Sequence, residues 1–160
     1  MADPITVTKL GPGTLKIGET GTELDMSCNV SEVEFATDKE QDDPVPVLCG
    51  REVASPATYT ATISGTALLD LSDPESIFYY SNTHKGESVP VTFVPNTEAG
   101  ATITGSITMD PLGIAGDVAG NVESEFEWTF VEWPTITGPT ATVDALNATS
   151  STTSTKTSTK

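Results

Sequence analysis

Histidine, cysteine and basic side chains are scarce in this sequence. His84 is the only histidine, so a Ser-His-Asp site would have to be built around it, and no Gly-x-Ser-x-Gly elbow accompanies it. Its place near the end of a predicted helix points to a capping role at the negative end of the helix dipole. The two cysteines, Cys28 and Cys49, cannot complete a four-ligand zinc site with one histidine unless carboxylates join them, and their spacing matches no finger pattern. Lys and Arg total 7 against 23 Asp and Glu, a formal net charge of −16 at pH 7. A duplex surface or an anionic membrane repels such a chain, which argues against binding through phosphate neutralisation. The same charge also serves plain solubility. The glycine-rich run Gly113-Ile114-Ala115-Gly116-Asp117-Val118-Ala119-Gly120 lacks the lysine and the following helix of a phosphate-cradling loop.

Long apolar runs are missing as well. None approaches the roughly 18 residues that a spanning helix needs, and Met1-Ala2-Asp3-Pro4 does not begin a basic-then-apolar leader. The expectation is a protein made and folded in a cytoplasm, with Cys28 and Cys49 as buried thiols rather than a disulfide. The hydrophobic fraction is 36%, low for a globular chain, and Thr and Ser are abundant. That mixture suits one domain built from sheets with wetted faces.

What is present is period-2 alternation. Residues 4–10 and 13–18 read as two short strands joined by Gly11-Pro12-Gly13. Segment 22–36 sets Leu24, Met26, Cys28 and Val30 on one face, then slips phase to Val33 and Phe35, which predicts a bulge near Ser31-Glu32. Residues 37–44 read as a polar loop, and Pro44 and Pro46 mark the strand beginning at Val45 as an edge. Clean alternation follows in 57–69, 87–94, 101–109 and 122–132. In the last of these Val122, Phe126, Trp128 and Phe130 oppose Glu123, Glu125 and Glu127.

One helix is predicted near 74–85, with Asp73 as N-cap, Pro74 at the first position, Glu75 in the first turn and Gly86 as the stop. The fold class is therefore mainly β, a β-sandwich or partly closed barrel over residues 1–134 with one short flanking α-helix. Residues 135–146 follow as an extended arm, and the Ser/Thr/Lys-rich 147–160 as a flexible tail with nothing to bury.

In so acidic a chain the carboxylates are the remaining candidates for chemistry. Glu123, Glu125 and Glu127 recur about 7 Å apart along one strand face, a spacing compatible with a calcium cluster, a glycosidase pair or a solvated face. No cofactor signature accompanies them, and no residue set in the chain makes a catalytic constellation.

The stretch GSITMDPLGIAGDVAGNVESEFEWTFVEWPTITGP, Gly105 to Pro139, resembles the C-terminal part of major tail (tail tube) proteins of long, non-contractile-tailed phages of actinobacteria. The likeness rests on Pro111, Gly113, Gly116, Asp117 and Val118, on the acidic-aromatic strand, and on Trp133-Pro134 and Gly138-Pro139. Upstream, SGTALLDLSDPES followed by a short helix and a strand resembles the middle of the same family, so that the likeness covers 55–140. It implies a virion structural subunit, made in the host cytoplasm, that self-assembles into stacked hexameric rings whose sheets join in one β-barrel. Double-stranded DNA passes through that barrel without specific binding, and tape-measure, tail terminator and distal tail proteins are the implied partners. Under this reading Glu123, Glu125 and Glu127 are candidates for the lumen face, with the Thr-rich faces of 58–66 and 102–108 competing. Asp38, Lys39, Glu40, Asp42 and Asp43 become a candidate inter-ring loop.

A rival from another class is an immunoglobulin-like decoration or adhesin module, since Asp117-Val118-Ala119-Gly120-Asn121-Val122 resembles a turn of bacterial repeats of that kind. Such a sandwich needs no helix at 73–85, which makes the helix the discriminating element.

Overall fold

A computed structural model describes residues 6–139. The tail expected at 147–160 and the arm beyond residue 139 lie outside the described residues. In chain order the elements are β1 (Thr14–Ile17), β2 (Leu24–Asp25), β3 (Val30–Glu40), β4 (Val45–Pro46), β5 (Glu52–Val53), β6 (Thr58–Leu68), α1 (Ile77–Thr83), β7 (Ser88–Val94), β8 (Thr102–Thr108), β9 (Glu123–Thr129) and β10 (Thr135–Thr137).

They form a 5-stranded sheet ordered β10-β8-β7-β1-β2 and a 3-stranded sheet ordered β3-β6-β9, with β4-β5 as a small separate hairpin. Every pairing is antiparallel. The alternation read in the sequence is the reason for the sandwich. One face of β7 carries Val89, Val91 and Phe93, one face of β8 carries Ile103 and Ile107, and all of these are buried. Facing them are Ala61, Ile63 and Ala67 from β6 and Phe126 and Trp128 from β9. Trp128 is fully buried, its ring stacks on Phe126 at 4.5 Å, and its indole Nε1 donates to the Asp110 carbonyl at 3.2 Å.

Two corners partly close the sandwich. The Phe130 amide donates to the Ala61 carbonyl at 2.9 Å, whereas the next amide, Val131, donates to Ser106 across the gap at 2.8 Å. The chain thus leaves the 3-stranded sheet at Phe130 and joins the 5-stranded one, where β10 pairs with β8. On the other side Met26 N–H donates to Leu15 at 2.8 Å and Leu68 N–H donates to Asn29 at 2.7 Å, tying the β2–β3 turn to both sheets. The sheets do not merge into a closed barrel.

The bulge expected near Ser31-Glu32 is present as a register shift between Val30 and Glu32. It lets Val33 and Phe35 follow Val30 onto the inner face.

Several local expectations are corrected. Residues 6–10 form no strand, and 22–36 is broken by a turn at Ser27–Asn29. Residues 37–40, read as loop for want of an apolar anchor, continue β3 and pair with Ala61, Thr60, Tyr59 and Thr58. Backbone pairing alone carries the hairpin past the end of the sandwich, and an exposed ladder needs no anchor. The helix begins after Ser76 and not after Asp73. Asp73 caps a preceding turn instead, with Glu75 N–H donating to its Oδ1 at 2.9 Å. At the other end His84 is the C-cap, its Nδ1 lies 2.7 Å from Glu87 Oε2, and Gly86 takes φ +78 to stop the helix. Cys28 and Cys49 are unpaired and exposed, not buried. One sits in the turn that crosses between sheets and the other at the tip of the β4–β5 hairpin, so neither reaches the core.

Candidate interaction surfaces

The outer face of the 3-stranded sheet gathers most of the candidate residues. Along β9 the burial alternates strictly, leaving Glu123, Glu125 and Glu127 exposed while Ser124, Phe126 and Trp128 are buried. Cross-strand register then sets the rows. Glu125 lies opposite Thr66 and Glu127 opposite Ser64, and on the far side of β6 the same two residues face Glu32 and Glu34. With neighbouring strands about 4.8 Å apart, each row places two carboxylates about 10 Å from one another across a hydroxyl. At that spacing both stay solvated, and their mutual repulsion is modest in water.

Asp38 and Glu40 extend this face, opposite Thr60 and Thr58. Because successive side chains alternate, Lys39 belongs to the opposite face with its partner Tyr59. Lys39 is the only basic residue of β3, β6 and β9, so none of the three strands supplies a cation to the acidic face. The Thr-rich stretch 58–66, weighed in the sequence as a competitor to Glu123, Glu125 and Glu127, is the central strip of the same face. Asp38 and Glu40 share it, whereas Asp42 and Asp43 lie beyond the strand.

Sequence reasoning missed Glu32 and Glu34, although their alternation with Val33 and Phe35 was the available signal. The other competitor, 102–108, lies on the outer face of the 5-stranded sheet. There Thr104 and Ser106 pair with Thr92 and Pro90, and the only charged residues within its five strands are Lys16 and its cross-strand neighbour Asp25, Lys16 also lying 3.8 Å from Glu23. One outer face is therefore densely acidic and the other a nearly uncharged carpet of hydroxyls.

The two edges of the acidic sheet are open among the described residues. Nothing pairs with the outer edge of β3, and β9 has only the bridge from Glu123 to Ala115. Such edges offer unpaired N–H and C=O groups to another chain.

The hairpin between β3 and β6 is less polar than its carboxylates suggest. Val45, Leu48 and Val53 are exposed there, Leu48 completely. Trp133 and Tyr59 are half exposed and meet edge-on at 6.2 Å, near exposed Val131 and Ile136. Exposed apolar groups at a protruding tip and a strand edge are features of contact surfaces. Among the described residues, no group of three or more His, Cys, Asp or Glu side chains stands ready to hold a metal.

No protein-family model matches the chain, and no curated protein matches it. Solved structures do. A chain in the virion of a native gene transfer agent particle is similar at a TM-score of 0.55 and 16% identity, over 78% of this chain and 95% of that one. A chain in the tail of an empty gene transfer agent particle, computed with helical refinement and C6 symmetry, is similar at a TM-score of 0.57 and 16% identity, over the same 78% and 95%. At that identity the likeness is one of fold.

Proposed function

We propose that the chain is a structural subunit of a phage-type tail tube, acting by assembly with copies of itself and not as an enzyme. The observation that carries this is a sheet with an acidic outer face and two open edges. Strands β3 and β9 are both antiparallel to β6, so they run parallel to each other. Setting β9 of one copy beside β3 of the next repeats the same contact with the same orientation, a heterologous interface that closes into a ring. Joined in this way, the sheets form one barrel with Glu32, Glu34, Glu125 and Glu127 on its concave wall. Six copies are the preferred number, supported by the C6 symmetry printed for the similar tail and by the tail-tube resemblance of Gly105–Pro139.

In that ring the carboxylates give passing double-stranded DNA a wall it does not adhere to. Their field reaches about 8 Å at physiological salt, enough to matter in a pore sized for a duplex. The hairpin at 41–56, with Leu48 at its tip and Asp42 and Asp43 at its base, reaches the adjacent ring. Tape-measure, terminator and distal tail proteins are the expected partners at the tube's interior and ends, in a virion assembled in the host cytoplasm.

The immunoglobulin-like module is the weaker reading, because α1 and its connections occupy the path from β6 to β7. Negative-stain electron microscopy of the purified protein at rising concentration tests the assignment. Tubes or stacked rings of uniform width are expected from the wild type. Compact monomers at every concentration, even with tail-initiation components added, would remove the tail-tube reading.

A further inference from the structure

The apex of the β4–β5 hairpin and an apolar groove belong to opposite ends of β3. The hairpin leaves the 3-stranded sheet beyond Glu40 and Thr58, which pair with each other. The groove flanks the first residues of β3 and has a volume of ≈ 400 Å³. Leu10, Pro12, Cys28, Val30 and Pro95 are among its lining residues, and Glu32 is the only charged one. A strand rises about 3.3 Å per residue, so Val33 at the groove and Glu40 at the hairpin stand about 23 Å apart.

The apex has the complementary character. Val47 N–H donates to the Arg51 carbonyl at 2.9 Å and Gly50 N–H to the Val47 carbonyl at 2.9 Å, and Gly50 at φ +79 closes the turn. Leu48 and Cys49 are the two central residues of that turn, held out in a fixed geometry. Leu48 is fully exposed, and Val45 and Val53 are exposed behind it. Among the described residues β4 and β5 pair only with each other. Residues 45–51 carry no carboxylate and one cation, Arg51, in a chain of 23 acidic and 7 basic residues. An apolar, cationic tip thus matches an apolar groove whose one charge is a glutamate.

We propose that the apex of one copy docks in this groove of a copy in the adjacent ring, seating Leu48 against Leu10, Pro12 and Val30. The inference rests on the tail-tube reading and names the surface that receives the hairpin. With tip and receptor at opposite ends of one strand, the apex meets the groove of another copy rather than its own. Each copy gives one apex and accepts one, a heterologous contact that extends a stack ring by ring. The loop between β8 and β9 adds to the receiving end. Its Ala115 bridges to Glu123, at the same end of the sheet as Val30, and Ile114 and Val118 are exposed on it. With β9 of one copy beside β3 of the next, that loop stands next to the neighbour's groove.

The chain's two cysteines report the contact, since Cys49 follows Leu48 in the apex, Cys28 lines the groove and both are exposed. The test treats assembled, reduced wild-type tubes with a short bis-maleimide and maps the linked peptides by mass spectrometry. Cys28–Cys49 links between copies are expected, giving a ladder of multimers on a denaturing gel. Cys28→Ser and Cys49→Ser each remove the ladder, and tubes co-assembled from an equal mixture of the two variants give dimers only. Leu48→Ser and Leu10→Ser lie at exposed positions. Each is expected to raise the concentration needed for tubes about tenfold while leaving the melting temperature of the monomer unchanged. Tubes that form without a Cys28–Cys49 link, or that link Cys49 to Cys49, overturn the inference and leave the tail-tube reading standing. A tube-forming concentration unaffected by Leu48→Ser does the same. Failure to form rings or tubes at all removes the tail-tube reading, and this inference with it.

Discussion

A Cβ placed on Gly65 would stand 2.0 Å from the carbonyl oxygen of Glu32. The contact arises at the bulge, where the register shifts between Val30 and Glu32 and pushes the β3 backbone toward β6. The Phe126 ring closes the same space at 2.9 Å, so neither strand has room to give. Gly65→Ala therefore forces backbone movement at the bulge. Overpacking of this kind costs about 1–3 kcal/mol, and the midpoint of urea unfolding is expected to fall accordingly. A midpoint equal to that of the wild type would mean the bulge is not built this tightly.

Trp128 holds the centre of the sandwich. It is fully buried, faces Ile63 across the β6–β9 pair and donates to Asp110. Trp128→Ala is expected to cost about 3–5 kcal/mol, measured by chemical denaturation. Trp128→Phe keeps most of the packing and leaves the Asp110 carbonyl without its donor, so its cost is smaller. That variant also isolates the fluorescence of Trp133, which is 52% exposed. Its emission is expected to be red-shifted and open to iodide quenching in the monomer, and to become protected on assembly if the Tyr59–Trp133 pair lies in an interface.

The architecture was legible wherever burial has a period. The inner faces of β6 to β9 were readable because Ile63, Val91, Ile107 and Trp128 are apolar at alternating positions, and the bulge showed as a phase slip from Val30 to Val33. What the sequence hid is pairing without burial. Asp38 to Glu40 join a strand through backbone bonds that leave no mark on hydropathy. The acidic face was half legible for a related reason. Glu123, Glu125 and Glu127 stand out beside aromatic neighbours, but that Glu32 and Glu34 lie in the same rows depends on the order β3-β6-β9, a long-range fact. The helix start was misplaced because Asp73-Pro74 is an equally good opening for a turn.

The turns at Asp25 and Asp70 make stability depend on acid. Bonds from Ser27 lower the Asp25 pKa in the folded state, and bonds from Ser72 lower that of Asp70. A folded-state pKa below the unfolded value of about 3.9 means the unfolded chain binds more protons as pH falls through that region. The contribution is complete above the unfolded pKa and is lost as pH drops toward the folded one. Net self-repulsion, with a charge of −16 at pH 7, relaxes over the same descent and acts in the opposite direction. Comparison with the double variant Ser27→Ala, Ser72→Ala separates the two. Its loss of stability between about pH 4 and pH 2 is expected to be shallower than that of the wild type, and parallel curves would show that the two serine hydroxyls do not contribute.

The acidic rows make the most direct prediction about function. Glu125 and Glu127 are exposed, have no salt-bridge partner among the described residues and face Thr66 and Ser64 rather than the core. Exposed substitutions away from special features change stability by about 0.5 kcal/mol or less, so Glu125→Lys and Glu127→Lys are expected to fold and, under the tail-tube reading, to assemble. A ring carrying them presents lysines toward a duplex where carboxylates stood. Each lysine that meets a phosphate releases a counterion, and binding gained that way weakens steeply with salt. Tubes of the variant are expected to retain double-stranded DNA at low salt and release it at high salt, while wild-type tubes retain none, as read by co-sedimentation. In an infective particle the same change is expected to slow DNA delivery without reducing the number of complete tails. If the variant tubes ignore DNA at every salt concentration, the acidic sheet does not line the channel, and the hydroxyl face of β7 and β8 takes its place.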